Sequence, residues 1–453
     1  MSRRVVVVGG GVAGLTTAYR LLQADGEIDV TVLEADEHPG GKVRSVTVGG
    51  LDLEAGPDSL LARKPAAVEL AKELGMGGDL VPAATGKTFI WSGGRLLRFP
   101  TGPFGISTDA AEMLRWPGMS YAGKVRAGAD LVLPARKEGG DESLGALLRR
   151  RLGDEATEKL VAPLLGGLFA GDIDRLSVQA TFPELATWER EHGGLIRGAR
   201  AASKARSTGG KPAPMFIRLK GGLRRLTGAM ADALGPRVRC GVAVHEVRRE
   251  GEGYVLGAGD ATLEADAVVF ASPAFATADL VEAMAPDAAR LLRQIPYVST
   301  AVVLMVYAEG TGPGLPDSSG FVVPRGRLPM TACTLLSRKW PDESFGDRAV
   351  VRCFVGAAGE QGALDMSSEE LVDAVSRSLP PLLPLPAEPE AAEVVRWPKA
   401  MPQYEVDHLD HVAAIERSLP PGAFLVGQAY RGAGIPDCVR AGGETAARAR
   451  GAL

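Results

Sequence analysis

Cysteine and histidine are scarce in this sequence, and their scarcity excludes several kinds of site. The 453 residues include 4 cysteines and 5 histidines, and no two cysteines stand in a C-x-x-C pair. A zinc or iron–sulfur centre is therefore not expected. Scattered cysteines are more typical of small buried side chains in a reducing compartment than of a disulfide framework. We therefore expect a cytoplasmic protein without a metal site.

Long apolar runs and a large net charge are absent as well. No stretch approaches the ~18 uninterrupted apolar residues that a membrane-spanning helix needs. The run Val5–Val8 is too short for the core of a signal peptide. The 51 lysines and arginines are balanced by 55 aspartates and glutamates, which disfavours a dedicated nucleic-acid binder. We therefore expect a soluble protein with no nucleic-acid partner.

Basic residues are concentrated in one glycine-rich segment, residues 189–225. Three interpretations of this segment stay open: a solvated surface, a gate for a substrate that carries carboxylates, or a patch that contacts anionic lipid headgroups. The portion 203–214 is rich in small residues, glycine and proline, and predicts a loop. A peripheral contact with the inner face of the cell membrane is therefore left open.

Glycine is abundant, with 58 residues, and one cluster predicts a nucleotide-binding turn. Val5–Val8 predicts a buried strand, and helical spacing runs from Gly14 to Gln23. Between them stands Gly9-Gly10-Gly11-Val12-Ala13-Gly14. The first, third and sixth positions match the dinucleotide fingerprint, which needs glycine for a tight turn, for approach to a pyrophosphate and for close helix packing. We therefore predict a pyrophosphate at the N-terminus of this helix.

An acidic residue completes the nucleotide-binding pattern. Val30–Leu33 predicts a second buried strand, and Glu34 follows it, 20 residues after Gly14. A carboxylate at this position accepts a hydrogen bond from a ribose hydroxyl and repels a 2′-phosphate, which disfavours NADP. The predicted contacts of the dinucleotide are Gly9, Gly11, Val12, Ala13, Gly14, Glu34 and Ala35.

Three further segments carry a resemblance to one protein family. The first two are Gly40-Gly41-Lys42 with Arg44, and Gly56-Pro57-Asp58-Ser59 followed by Leu60-Leu61-Ala62-Arg63-Lys64-Pro65. The third is Gly427-Gln428-Ala429-Tyr430-Arg431-Gly432-Ala433-Gly434-Ile435-Pro436-Asp437-Cys438-Val439. In this order they resemble the flavoprotein oxidase superfamily of amine oxidases, phytoene desaturases and protoporphyrinogen oxidases. Weaker matches in the same order are Lys220-Gly221-Gly222-Leu223, Val244 and Ala271-Ser272-Pro273.

The resemblance implies FAD as the cofactor and assigns each segment to a part of it. The loop after Gly40 is expected to wrap the diphosphate, and Gly56 to bring bare backbone to the isoalloxazine edge. The helix that begins near Gly434 is expected to stabilise negative charge on the pyrimidine side of the ring. The further contacts implied are Gly40, Gly41, Lys42, Arg44, Gly56, Pro57, Asp58, Ser59, Val244, Ala271, Gly427, Gly434, Ile435, Pro436 and Val439.

The predicted fold class is α/β, with a Rossmann-like FAD-binding domain, a mixed-sheet substrate domain and a helical insertion. The resemblance supplies the layout, which is that of p-hydroxybenzoate hydroxylase, with a substrate cavity between the domains. The FAD-binding domain is expected at 1–85, 213–290 and 396–453, and the substrate domain at 86–108 and 291–395. The helical insertion is expected at 109–212, which is also the part expected to face a membrane.

The implied chemistry needs no pairing of a nucleophile with a base, because the flavin itself accepts the hydride. The resemblance implies oxygen-dependent oxidation of a porphyrinogen with release of hydrogen peroxide. The segments are most similar to those of Gram-positive bacterial members, which typically oxidise coproporphyrinogen III in haem biosynthesis. The residues expected near the substrate are Lys64, Arg95, Arg98 and Tyr430.

Three alternatives stay open. In one, protoporphyrinogen IX is the main substrate, and in another the chain is an amine or carotenoid oxidoreductase on the same scaffold. In the third, the chain is a non-catalytic binding protein, like the prenyl-GTPase escort proteins that share this fold. Similarity of fold does not decide between them.

Overall fold

The computed structural model describes residues 3–24, 28–136, 139–207 and 214–453. Its strands are β1 (Arg3–Val8), β2 (Ile28–Leu33), β3 (Ser45–Val48), β4 (Leu51–Glu54), β5 (Leu60–Leu61), β6 (Leu80–Pro82), β7 (Thr88–Ser92), β8 (Arg95–Arg98), β9 (Phe216–Leu219), β10 (Val238–Arg239), β11 (Val244–Glu250), β12 (Gly253–Ala258), β13 (Ala261–Ala265), β14 (Ala267–Phe270), β15 (Tyr297–Val306), β16 (Gly320–Val322), β17 (Ala332–Leu335), β18 (Val350–Val355), β19 (Ala391–Pro402) and β20 (Ala423–Leu425). Its helices are α1 (Val12–Gln23), α2 (Ala66–Glu73), α3 (Ala110–Arg115), α4 (Tyr121–Gly128), α5 (Leu144–Leu152), α6 (Asp154–Ala156), α7 (Ala162–Phe169), α8 (Val178–Thr181), α9 (Pro183–His192), α10 (Leu195–Ser207), α11 (Arg224–Leu234), α12 (Ala274–Val281), α13 (Pro286–Arg293), α14 (Leu336–Lys339), α15 (Ser368–Arg377), α16 (His408–Ser418) and α17 (Ile435–Ala452).

A five-stranded parallel sheet forms the base of the first unit, in the order β10-β2-β1-β14-β20. Residues Val5–Val8 of the central strand are buried on both faces. One face packs against α1 and α17 and the other against α12, so the sheet separates two cores. Burying one valine side chain contributes roughly 1.5–3 kcal/mol, which explains why this run of valines forms the centre of the sheet. The layered arrangement confirms the predicted α/β class.

The predicted strand–helix–strand unit is confirmed as β1, α1 and β2, with β2 parallel to β1. The apolar residues between 238 and 247 do not form one continuous strand, because the chain breaks at Gly241, where φ is +70°. Before the break β10 completes the parallel sheet, and after it β11 pairs with β12 in a separate three-stranded sheet. A glycine inside an apparent strand is a signal for such a change of direction.

The second unit is a seven-stranded sheet, in the order β19-β15-β18-β17-β16-β7-β8. It is mixed as predicted, since β7 runs parallel to β16 while β15 runs antiparallel to β18 and β19. One face packs with α15 around a separate core, and the other face turns toward β3, β4 and the helices of the insertion. The long strand β19 was not predicted, because charged residues and Pro398 interrupt its apolar pattern.

Helices α3–α10 form the predicted helical insertion around a third apolar core. Near this core lies a buried ion pair between Arg151 and Asp130, whose side chains are 1% and 0% exposed. Helix α10 continues to Ser207, so the first part of the loop expected at 203–214 is helical, and residues 208–213 lie outside the described residues. In the part of the chain described, no helix is both long and apolar enough to cross a membrane. The domain boundaries stay a prediction.

Candidate functional site

The glycine-rich turn lies where the carboxyl ends of the parallel strands meet. Ala271 N–H donates to Val8 O and Gly9 N–H donates to Leu33 O, both at 2.8 Å, so β1 is joined to its two neighbours up to the turn. A Cβ atom on Gly14 would overlap the carbonyl oxygen of Gly9. Only glycine therefore lets α1 begin so close to β1. In open α/β sheets this edge is where ligands bind.

The N-terminus of α1 leaves room for an anion. Gly11 is the N-cap residue with φ −72°, and a Cβ atom there would meet no other atom within 4 Å. No side chain caps the helix, and its first turn, which contains Val12 and Ala13, has no acidic residue. The first N–H groups and the positive end of the helix dipole are therefore available to a phosphate.

Glu34 closes the turn from the side of β2, as predicted from its spacing. Its Oε2 accepts the Gly10 N–H at 2.6 Å, and its Oε1 accepts the Asp36 N–H at 2.9 Å, while the residue stays partly exposed. Val242, which belongs to no motif, donates its N–H to Glu34 O at 2.8 Å. The predicted residue Val244 lies two positions further on, in β11. The backbone beside the turn is therefore that of Val242.

The two basic residues after Gly40 have different surroundings. Gly40 N–H donates to Gly10 O at 2.9 Å, which holds this loop against the turn. Lys42 Nζ donates to Ala400 O at 2.7 Å, and burial lowers the pKa of Lys42 to about 8. Arg44, by contrast, is exposed. The loop therefore places one partly buried and one exposed cation beside the turn.

The segment that follows β4 lies between the two units. A Cβ atom on Gly56 would overlap the carbonyl oxygen of Lys42, so the close approach of these two backbones requires glycine. From the other side, Arg352 Nη1 donates to Gly56 O at 2.9 Å. No motif predicted a role for Arg352. In the sequence it is only a charged residue within an apolar strand.

Asp58 is buried in a cluster of charges at the same junction. Its carboxylate lies 3.0 Å from Lys339 Nζ and 3.3 Å from Arg352 Nη2, and it accepts the Trp340 Nε1–H at 3.1 Å. Burial raises the pKa of Asp58, but Arg352 and Lys339 outweigh burial and hold it well below its usual range. The carboxylate is therefore committed to protein contacts, and the contact of Asp58 with the cofactor stays a prediction.

The C-terminal loop, residues 427–434, is held by Tyr404 and His408. The Tyr404 hydroxyl donates to Gln428 O and accepts the Gly432 N–H. The His408 ring stacks on Tyr404 with centroids 4.2 Å apart. Neither residue belongs to a predicted motif, although both are close to the loop in sequence.

Helix α17 begins directly after this loop. Gly434 is its N-cap residue, no side chain caps it, and Pro436 stands in its first turn. The N–H groups of this turn have no side-chain cap, but unlike the first turn of α1 it contains an acidic residue, Asp437. Lys64, predicted to bind substrate, instead pairs with Asp437 of this turn, with Nζ 2.7 and 2.8 Å from the carboxylate oxygens.

Tyr430 is buried with 3% exposure among the apolar side chains below the parallel sheet. Burial by its neighbours raises the pKa of its hydroxyl. Its hydroxyl is buried without a hydrogen-bond partner among the described residues, and the contact of Tyr430 with substrate stays a prediction. The sequence placed it correctly in the loop but carried no signal for the direction of its side chain.

Arg95 and Arg98 lie at the far edge of the seven-stranded sheet and point to opposite faces. Arg98 is in register with Phe89 on the face that packs with α15, whereas Arg95 pairs with Ser92 on the face that carries Arg352. Directly opposed residues of neighbouring strands share a face, and side chains three positions apart do not. The strand therefore does not bring the two arginines together on one face.

These features fit a dinucleotide with a charged middle and two uncharged ends. The open space at Gly11 and the uncapped N-terminus of α1 suit a pyrophosphate, with Lys42 and Arg44 on the loop that Gly40 holds against the turn. The partly exposed carboxylate of Glu34 suits a ribose hydroxyl.

The chain is similar in sequence and in architecture to known proteins. A family model described as flavin containing amine oxidoreductase matches residues 12–450. The chain is 34% identical to the coproporphyrinogen III oxidase of Bacillus subtilis strain 168, over 97% of this chain and 96% of that protein. It is 30% identical to the chloroplastic protoporphyrinogen oxidase of rice, over 99% and 88% of the two chains. A crystal structure from Exiguobacterium sp. 255-15 has a TM-score of 0.88 and 33% identity, covering 99% of this chain and 98% of that one.

Proposed function

Because this chain belongs to the family of flavin containing amine oxidoreductases, we propose that it oxidises coproporphyrinogen III to coproporphyrin III in haem biosynthesis. As a member of that family it is a flavin-dependent oxidoreductase. We propose FAD as the flavin and dioxygen as the electron acceptor. The observation that supports this substrate is the identity with the Bacillus subtilis enzyme over nearly the full length of both chains.

Bound FAD supplies the acceptor for a hydride from the substrate, while the protein provides binding and orientation. We assign the pyrophosphate to Gly11 and the first turn of α1, bordered by Gly9, Ala271 and Gly427. Glu34 and the backbone of Val242 hold the adenosine side. The backbone of Gly56-Pro57 and the first turn of α17 face the isoalloxazine ring. Lys42 and Arg44 offset the charge of the diphosphate.

The substrate loses six hydrogens in three two-electron steps, and each step reduces one dioxygen to hydrogen peroxide. The protons of the pyrrole nitrogens pass to water, so the protein has to orient the ring and counter its carboxylates. Arg95 is the exposed cation on the sheet face that carries Arg352, and we assign it to a substrate carboxylate. Lys64 already pairs with Asp437, and Arg98 lies on the opposite face of the edge strand.

The test of this function compares two substrates with the purified holoenzyme. Coproporphyrinogen III and protoporphyrinogen IX are freshly reduced, and the porphyrin formed is followed by its fluorescence. We expect kcat/KM to be at least about tenfold higher for coproporphyrinogen III, because a tetracarboxylate offers more groups to cations than a dicarboxylate does. Hydrogen peroxide should appear in a ratio of three per porphyrin.

The alternatives have distinct outcomes in the same experiment. A higher kcat/KM for protoporphyrinogen IX would give this chain the activity of its rice relative. Turnover of neither substrate, with peroxide formed from an amine, would make it an amine oxidoreductase. A colourless protein without flavin absorbance would favour a non-catalytic binding protein.

We propose that the protein works in the cytoplasm. Contact with a membrane surface is tested by co-sedimentation with lipid vesicles. The apolar side chains of Leu114, Tyr121 and Val125, on α3 and α4, are 55%, 77% and 73% exposed. Co-sedimentation with vesicles of anionic lipid that is abolished by Tyr121→Ser and Val125→Ser would establish a peripheral contact. Absence of co-sedimentation would leave a freely soluble enzyme.

A further inference from the structure

Three consecutive carbonyl groups in the FAD-binding unit accept hydrogen bonds from side chains of the seven-stranded sheet. Arg352 Nη1 donates to Glu54 O at 3.2 Å and to Gly56 O at 2.9 Å. Trp397 Nε1 donates to Ala55 O at 3.0 Å. Arg352 comes from β18 and Trp397 from β19, so two strands of one unit hold a stretch of backbone that belongs to the other.

The same stretch is held from the opposite side by its own unit. Arg44 O accepts the Ala55 N–H at 2.8 Å and the Gly56 N–H at 3.3 Å. The carbonyl oxygen of Lys42 fills the space where a Cβ of Gly56 would be. The peptide groups are therefore fixed on both faces, and a shift of the backbone would leave buried polar groups without partners.

The guanidinium of Arg352 is itself held in place by Asp58, whose carboxylate also pairs with Lys339. Arg352 is 3% exposed, and its Nη2 lies 3.3 Å from the carboxylate that Lys339 also contacts. Its Nε is buried without a hydrogen-bond partner among the described residues. A planar fork placed this way reaches two carbonyls and a carboxylate at once, which a lysine cannot do.

We propose that Arg352 and Trp397 are positioning residues, which fix the backbone of residues 54–57 and thereby set the affinity and the reduction potential of the flavin. The inference rests on the proposed function, in which Gly56-Pro57 faces the isoalloxazine ring. Peptide dipoles stabilise charge on a bound group only while they are held in a fixed orientation. The negative charge that reduction adds to a flavin therefore makes its potential sensitive to this backbone.

The test uses Arg352→Lys in the holoenzyme, because this change keeps the charge and removes the fork. We expect the dissociation constant of FAD to rise at least about tenfold. We also expect the potential to become more negative by about 30 mV, which corresponds to a tenfold weaker preference for reduced over oxidised flavin in a two-electron couple. The dissociation constant is measured by flavin fluorescence on dilution, and the potential by equilibration with dyes of known potential.

Arg151→Lys is the matched control, since Arg151 is equally buried and pairs with Asp130 inside the helical insertion. It should lower the melting temperature but leave the flavin affinity and potential unchanged. If Arg352→Lys also lowers only the melting temperature, Arg352 has a merely structural role and the proposal is wrong.

Trp397→Phe keeps the test decisive if Arg352→Lys does not fold. It removes one donor and retains most of the apolar ring, and we expect a smaller change of both quantities in the same direction. Unchanged affinity and potential in Trp397→Phe would overturn the proposal. A wild-type protein without flavin would contradict the proposed function instead, so the two failures are distinguishable.

Discussion

His408 is a buried side chain against the C-terminal loop, and its protonation makes the stability of the protein depend on pH. Its ring is 4% exposed, lies flat against Tyr404, and has Nε2 3.0 Å from Tyr430 O. A carbonyl accepts a hydrogen bond, so the neutral ring carries its proton on Nε2. Burial lowers the pKa of His408 to about 4, although the bond to Tyr430 O opposes this shift. The folded protein therefore holds a neutral imidazole where the unfolded chain, with a pKa near 6.5, takes up a proton.

The first prediction concerns stability in acid. The contribution of His408 to the free energy of unfolding is complete above pH 6.5 and falls as the pH drops toward 4, by about 3 kcal/mol in total. Urea unfolding at several pH values between 7 and 4.5 measures this loss. His408→Gln can donate the same hydrogen bond without titrating, so its stability should fall less steeply over this range. An equal slope in both proteins would show that His408 is not the group responsible.

Residue types and spacing predicted where the backbone of the site lies but not where side chains point. Gly9, Gly11 and Gly14 were predictable because the fingerprint reports a tight turn at Gly9, open space at Gly11 and a close approach of backbone at Gly14. The side chains of Asp58 and Tyr430, which belong to two of the predicted segments, are both buried. Their directions depend on Lys339, Arg352 and the core below the sheet, which are distant in sequence.

At the scale of elements, α1 and the strand before it form the most predictable part of the molecule. Both come from one short segment in which strand, turn and helix are set by local pattern. The break at Gly241 and the long strand β19 were not predictable to the same degree. Each depends on partners far away in the chain, since β10 before the break pairs with β2 and β19 pairs with β15. Local sequence carries no information about which distant strand is available.

At the start of α1, the open space at Gly11 allows a larger side chain to be introduced without overlap. Gly11→Asp should weaken FAD binding by about 100-fold or more, because it places a negative charge beside the pyrophosphate. Gly11→Asn adds the same bulk without charge and should weaken binding less. Asp and Asn are both favoured N-cap residues, and Gly11 has a compatible backbone, so α1 itself should not be destabilised.

Flavin absorbance after gel filtration, together with the melting temperature, measures both effects. If Gly11→Asp retains the flavin as firmly as the wild type does, the pyrophosphate does not lie at α1. A drop in melting temperature for both variants would instead point to strain in the turn.

At the scale of the whole molecule, the parallel sheet joins parts of the chain that are far apart in sequence. β1 lies beside β14, and β14 lies beside β20. Helix α17 packs in the same core as α1. The first unit is therefore not a continuous domain, and its edge strand and one of its helical covers come from the C-terminal segment. The bounds of the three segments expected for the FAD-binding domain, 1–85, 213–290 and 396–453, stay a prediction.

The prediction at this scale is the effect of removing the last strand and helix. A chain that stops after Gly422 lacks β20 and α17, exposes the core around Leu15 and Ala18, and should neither bind flavin nor stay soluble. A chain that stops after Arg450 keeps both elements and should retain flavin. Soluble expression and flavin content are the measurements. Wild-type flavin content in the shorter chain would contradict the assignment of α17 to the cofactor.

The separation of β1 and β20 along the chain also determines how long after β1 the ribosome synthesises β20. The turn at Gly11 leaves the ribosome early, but its partners in β20 and α17 follow only after residue 422. At ~5–20 residues per second this delay is roughly 20–80 s. For most of its synthesis the nascent chain therefore contains β1 and α1 but lacks β20 and α17. We therefore expect the flavin to bind only after β20 and α17 have been synthesised.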